Sequence, residues 1–176
     1  QVVLADMRQD WQTRGLPPIH ARIGVATGEV IVGNIGCEQA QDYACIGDTV
    51  NLSSRLEGVN KVYGTRIIID EATLDMVNDH FKVRELDTVR VKGRDGGTRI
   101  FELQGFASSA VSKPEDNFRH YADALALYRA GGFTDALKGF QSIKDDPPAS
   151  IMAEACRHLI EQPPENWDGI RTLTEK

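Results

Sequence analysis

Apolar positions along the 176 residues change period several times, and each change predicts an element. Val3, Leu4, Met7 and Trp11 recur at helical spacing, and Gly15, Pro17 and Pro18 end that run, which predicts an amphipathic packing helix. Two β-rich runs follow, His20–Val25 and Glu29–Ile35, with Thr27-Gly28 between them, and together they predict a hairpin. Its glycines could cradle phosphates through backbone N–H groups, or serve as turn and bulge residues. Gln39 to Asp42 is polar and predicts a loop. Beyond the short apolar run that ends at Gly47, Asp48 or Thr49 can cap a helix with Val50, Leu52, Leu56 and Val59 inward and Gly58 as its stop. Arg66–Ile69 predicts a buried strand, and Asp70 starts a helix whose core face is Leu74, Val77 and Phe81. Lys82–Val91 alternates, with Val83, Leu86, Val89 and Val91 inward against Lys82, Arg84, Glu85 and Arg90. After the turn at residues 94–97, Thr98–Leu103 alternates again with Ile100 and Leu103 inward, which makes a second hairpin.

The character changes at residues 107–116, a small, polar stretch containing Pro114 that reads as a linker. Beyond it the pattern is helical throughout. Phe118, Tyr121, Ala122, Leu125 and Tyr128 form one face; Gly131-Gly132 breaks it. Thr134 can cap a second helix with Ala136, Leu137, Phe140 and Ile143 on its face. Asp145-Asp146-Pro147-Pro148 interrupts again, and Ser150 can cap a third with Ile151, Ala155 and Leu159. Y-R-A-G-G-F-T-D-A-L-K-G-F-Q-S-I resembles one tetratricopeptide unit, with Tyr128, Phe133, Ala136 and Phe140 at the packing positions. One such unit cannot bury its own face, so it must lean on the rest of the chain, a protein partner or another copy, with Trp167 as part of the cover. The expected organisation is residues 1–106, a linker at 107–116, and a helical extension at 117–176.

Composition narrows the partners. A net charge of −6 argues against nucleic acid, whose backbone needs a basic field. The three cysteines are far apart and lack metal spacing, which fits reduced thiols in the cytoplasm. No run of about eighteen apolar residues predicts a membrane span, and no signal peptide is visible. The missing initiator methionine points to a piece of something longer.

Two places carry candidate chemistry. Asn51 and Arg55 are four apart and share a helix face, where an amide and a guanidinium fork suit ribose and phosphate. The same pair also fits a solvated polar stripe. Lys92 and Arg94 flank Gly93 at the mouth of the second hairpin, where a cation could hold a terminal phosphate or guard a strand edge.

G-D-T-V-N-L-S-S-R-L-E-G, preceded by I-H-A-R-I-G-V-A-T-G-E-V-I-V-G-N-I-G, resembles the class III adenylate and guanylate cyclases. Y-G-T-R-I-I-I-D-E-A-T and V-R-V-K-G-R continue the family's order, so the likeness runs from about Ile19 to Gly105. The resemblance implies an α+β, ferredoxin-like sandwich with a mostly antiparallel sheet, short of its N-terminal strands, and a small all-α extension. It implies a homodimer that turns a purine nucleoside triphosphate, ATP in preference, into the 3′,5′-cyclic monophosphate and pyrophosphate. Two Mg²⁺ or Mn²⁺ ions on two aspartates assist; the other subunit supplies an asparagine and an arginine, matched here by Asn51 and Arg55. Lys92 matches a lysine that reaches the triphosphate. A base-selecting position falls at Ala44, which has no side-chain hydrogen bond to offer and leaves the purine open. No residue here matches the metal aspartates, so no metal ligand is expected in this chain and the isolated chain is expected to be inactive. The alternative is a non-catalytic cyclase-like regulatory module. Without the first strand, an exposed sheet edge is expected to drive dimerisation or swapping.

Overall fold

A computed structural model describes residues 1–37, 40–77, 80–91, 96–108 and 115–173. The chain runs α1 (Val2–Thr13), β1 (Ile23–Val25), β2 (Ile31–Cys37), β3 (Ala40–Ile46), α2 (Asp48–Tyr63), β4 (Ile67–Asp70), α3 (Glu71–Val77), β5 (Phe81–Arg90) and β6 (Thr98–Phe106). Then follow α4 (Glu115–Arg129), α5 (Phe133–Ser142), α6 (Pro147–Glu161) and β7 (Arg171–Thr172). Five strands form one sheet in the order β1-β4-β6-β5-β7, and β2 and β3 form a second sheet of their own. The mixed α+β architecture with a helical extension agrees with the expectation. Helix α1 forms where its spacing predicts, but none of its residues is buried.

The first predicted hairpin does not form. Ile23 of β1 pairs in parallel with Ile67 of β4, while Ile31 of β2 pairs antiparallel with Ile46 of β3. The Thr27-Gly28 segment is held elsewhere: the Thr27 N–H donates to Asp70 Oδ1 (3.3 Å), and the Thr27 and Thr73 hydroxyls lie 2.8 Å apart. The chain therefore crosses to the β4–α3 junction instead of turning back. The loop expected at Gln39–Asp42 is also revised, because β3 begins at Ala40; Gln39 lies outside the described residues.

Helix α2 does not stop at Gly58. Val59, Asn60 and Tyr63 continue its buried face, and the stop falls at Gly64, whose left-handed φ of 67° suits glycine. Asp70 ends β4 rather than opening α3, yet it still caps that helix, since its Oδ1 accepts from the Thr73 N–H at 2.9 Å. Phe81 belongs to β5 and stacks on Phe106 of β6 with ring centroids 5.1 Å apart. The cap of α6 is Asp146 rather than Ser150: Asp146 Oδ2 accepts from the Ala149 N–H at 3.1 Å, with prolines filling the first turn. Helix α5 starts at Phe133 with Gly132 as its cap residue, so Thr134 lies inside the first turn.

The second hairpin forms as predicted, with β5 and β6 antiparallel. Its inner face differs from simple alternation. The pairing shifts between Glu85 and Asp87, a bulge that lets the neighbours Leu86 and Asp87 both become buried. Arg84, expected outside, is buried as well. The tail explains this. Arg84 donates from Nη1 to Asp146 Oδ2 (2.9 Å) and from Nε to Glu102 Oε2 (3.1 Å), and its guanidinium lies 4.8 Å from the Tyr121 ring centroid. A buried cation is tolerated because two carboxylates and an aromatic face surround it.

One hydrophobic cluster joins the parts. Leu52, Leu56 and Tyr63 of α2, Leu86 and Ile100 of the sheet, and Tyr121, Phe140 and Met152 of the tail all belong to it. The Tyr121 hydroxyl also donates to the Leu86 carbonyl at 2.9 Å. Trp167 covers the α4–α5 corner, edge-on to both Tyr128 and Phe133, with its indole N–H shared between the Tyr128 and Arg129 carbonyls. Among the described residues no helix is long and apolar enough to cross a membrane.

Candidate active site

Helix α2 is the element on which the candidate residues stand, and its setting decides which side chains remain open. It begins directly after β3, at Gly47, whose φ of 152° disfavours any side chain. The Thr49 hydroxyl donates to the Glu29 carbonyl at 3.2 Å, which ties the first turn to the segment before β2.

Along its length α2 lies close against β1. A Cβ at Gly24 would stand 2.2 Å from the Ser53 carbonyl oxygen and 2.4 Å from the Glu57 nitrogen, so glycine is needed for this approach. The Ser53 hydroxyl donates to the Gly24 carbonyl (3.0 Å), and the Asn60 amide donates to the Ile23 carbonyl (2.9 Å). Asn60 also accepts from the Thr65 hydroxyl at 2.9 Å, so this buried amide is satisfied. Leu52, Leu56, Val59 and Tyr63 fill the core face.

Asn51, Ser54, Arg55, Gly58 and Val62 remain, spaced at three and four along the outward side. Asn51 is exposed and Arg55 is half-buried. A Cβ at Gly58 would meet nothing within 4 Å, so the surface beside Arg55 is open. Among the described residues the Arg55 side chain has no carboxylate partner and makes no hydrogen bond. A guanidinium held on a rigid helix without an internal anion can donate two parallel bonds to phosphoryl oxygens.

Ala44 is half-buried on β3, opposite Gly33 of β2, and presents no polar group. Lys92 and Arg94 lie outside the described residues. Among the described residues no three His, Cys, Asp or Glu side chains are grouped as a metal site.

The other end of α2 carries groups that periodicity did not reveal. Tyr63 is fully buried, and its hydroxyl donates to Asp87 Oδ2 at 2.7 Å. Burial pushes the Asp87 carboxyl up to about 6, against the lowering effects of the Tyr63 hydroxyl, Arg171, the Thr88 N–H and Arg129. Burial, and then the Asp87 charge, hold the Tyr63 phenol well above its ordinary value. The available signal was strand alternation: Val83, Val89 and Val91 share one face at even spacing, and Asp87 falls on that face, where an unpaired carboxylate would be costly.

The chain belongs to the adenylate and guanylate cyclase catalytic domain family, whose model matches residues 2–105. It is 42% identical over 91 residues to Adenylate cyclase 1 of Rhizobium meliloti, a match covering 52% of this chain and 14% of that protein. It also resembles the solved adenylyl cyclase CyaB from P. aeruginosa, with a TM-score of 0.50 and 29% identity over 64% of this chain and 54% of the other. The solved guanylyl cyclase Cya2 gives a TM-score of 0.50 and 34% identity over 61% of this chain and 54% of its own. The chain thus spans about half of these solved chains and a smaller part of the Rhizobium protein.

Proposed function

We propose that this chain supplies one half of a nucleotide cyclase active site, in a dimer that converts a purine nucleoside triphosphate, ATP in preference, into the 3′,5′-cyclic monophosphate. The observation that carries this reading is the open pair on α2: the exposed Asn51 amide one turn from an Arg55 guanidinium that has no carboxylate partner among the described residues. In the reaction the ribose 3′-oxygen bonds to the α-phosphorus and its hydroxyl proton passes to solvent water. The bond from that phosphorus to the bridging oxygen breaks, and pyrophosphate leaves with the electron pair. Arg55 donates to the α-phosphoryl oxygens as charge builds on them, and Asn51 orients the ribose. The rigid seat of α2 on β1 favours this role, because a donor fixed beforehand needs no reorganisation during the step. Adenylate cyclases among the relatives favour ATP; Ala44 imposes no choice of base through its side chain.

Mg²⁺ or Mn²⁺, which the family implies, does not fit the donors on this face. An amide and a guanidinium offer no anionic oxygen, and a divalent cation requires such ligands. The dimer reading is favoured by β2 and β3, which carry Ile31, Val32, Tyr43 and Ile46 exposed beside the start of α2.

Mixing tests the reading. This chain is combined with a full-length cyclase carrying the same domain, in which the arginine matching Arg55 is replaced by alanine, and cyclic nucleotide release is measured with ATP and with GTP. Activity should return with the chain as it stands and fall by about 10²–10³-fold with Arg55→Ala, the usual loss for one preorganised donor. Binding of the two proteins without activity would defeat the assignment of Asn51 and Arg55.

A further inference from the structure

The buried groups at the C-terminal end of α2 come from two distant parts of the chain. Arg171 lies on β7, whose parallel pairing sets it opposite Val89 of β5, two residues beyond Asp87. Its Nη1 donates to the Tyr63 hydroxyl at 3.4 Å and to Met152 Sδ of α6 at 3.7 Å. Its guanidinium carbon lies 5.6 Å from the Tyr63 ring centroid. Gly64, the left-handed stop of α2, is in close contact with α6: a Cβ there would stand 2.7 Å from Pro147 Cβ. The last turn of α2 is therefore enclosed by β5, α6 and β7.

We propose that Arg171 is a positioning residue of the candidate active site: through Tyr63 and Asp87 it fixes the C-terminal turn of α2, so the tail sets where Asn51 and Arg55 stand. The catalytic part of this inference rests on the reading of α2 given above; the mechanical part does not. An α-helix is stiff and rises about 1.5 Å per residue, so Arg55 lies roughly 12 Å and Asn51 roughly 18 Å along the axis from Tyr63. A tilt at the anchored end displaces both groups together. Contacts to β1 from Ser53 and Asn60 hold one side of the helix. They do not hold the side that faces the tail. Tyr63, Gly64 and the core residues do, and there Arg171 gives the tail a charged, directional bond in addition to apolar packing. A misplacement of about 1 Å at reacting groups can cost about 10²-fold in rate, so a small tilt has a large readout.

The test compares Arg171→Met and Arg171→Lys with the unaltered chain by two measurements. The first is native-state hydrogen exchange of the intact chain. In Arg171→Met, amides of α2 from Leu52 to Tyr63 should exchange about tenfold faster, with β4 and β6 unchanged; Arg171→Lys should lie between. Faster exchange confined to β7 and α6, or a uniform rise across the sheet, would overturn the proposal. The second is turnover in the mixed dimer described above. Arg171→Met should lower kcat about tenfold with KM within twofold, and Arg171→Lys should recover part of the loss. If Arg171→Met does not fold, Arg171→Lys carries both measurements, and identity with the unaltered chain in α2 exchange overturns the proposal. A mixture inactive even with the unaltered chain defeats the reading of Asn51 and Arg55 and leaves the exchange result to decide the positioning role.

Discussion

The two hairpins of this chain invert the usual pattern in opposite ways. β2 and β3 carry apolar side chains into solvent: Ile31 is 69% exposed and Tyr43 is 77% exposed. β5 and β6 carry charges inward: Arg84 is 4% exposed and Asp87 is 0% exposed. Each inversion marks a surface that needs something from outside the hairpin. β5 finds it within the chain, where Asp146 and Tyr121 meet Arg84, and Tyr63 meets Asp87. The β2–β3 pair has little of its apolar surface covered. α2 runs between these situations, open at the end that bears Asn51 and Arg55 and enclosed at the end that bears Tyr63. The difference teaches that an out-of-pattern residue is informative through its partner: an internal partner makes it an anchor, and an uncovered one makes it a contact surface.

The largest expected effect breaks the inward hairpin. Arg84→Ala leaves Asp146 and Glu102 without their shared cation, and loss of one partner of a buried ion pair costs about 3–5 kcal/mol. Urea unfolding of the purified chain measures it. A loss below about 1 kcal/mol would mean that the cation is not what joins β5 to the tail.

A somewhat smaller effect sharpens the same side through pH. The Asp87 carboxyl rises from 3.8 to about 6 on folding because burial disfavours its charge. A raised value means that the folded chain holds this proton more tightly than the unfolded chain. The resulting stabilisation is fully present below about 3.8 and is lost as pH rises through about 6, a swing of about 3 kcal/mol. Glu85 shifts the opposite way, because hydrogen bonds from Arg99 and Arg129 outweigh its burial, so the isolated quantity is a difference. Unfolding of the chain and of Asp87→Asn, measured from pH 4 to pH 7.5, should diverge by most of that amount, about 2.4 kcal/mol, with the unaltered chain relatively weaker at the high end. Parallel curves would show that Asp87 does not titrate in this window.

The smallest effect on stability tests the outward hairpin. Ile31→Lys with Tyr43→Lys removes exposed apolar surface, and such surface changes stay within about 0.5 kcal/mol each. Self-association should fall even so. Sedimentation across a wide concentration range distinguishes the cases: unchanged association of the double variant would separate this hairpin from the dimer contact.

Much of the molecule was legible beforehand. Local periodicity located the six helices of the described residues and the β5–β6 pair, because amphipathic spacing and turn residues act over a few neighbours. It also set Asn51 and Arg55 on one face of α2, which follows from helix geometry alone. Their openness did not follow from spacing; it depends on Gly24, Ser53 and Asn60 holding the adjacent side to β1. Gly58 suits a helix stop because glycine enters a left-handed turn at low cost, but burial of Val59 and Tyr63 carries α2 through it against a propensity cost of about 1 kcal/mol.

The amino-acid order by itself determined the helices, the β5–β6 pair, the cyclase motifs and the spacing of the candidate pair, since these depend on residues close together in the chain. Only the tertiary structure decided strand partners and the fate of buried charge. β1 pairs with β4 across more than forty residues, and Arg84 reaches Asp146 sixty-two positions away. Such contacts carry no local period. They are selected by which arrangement gives buried charged groups such as Arg84 and Asp87 a partner, and that condition is set by the whole packed chain.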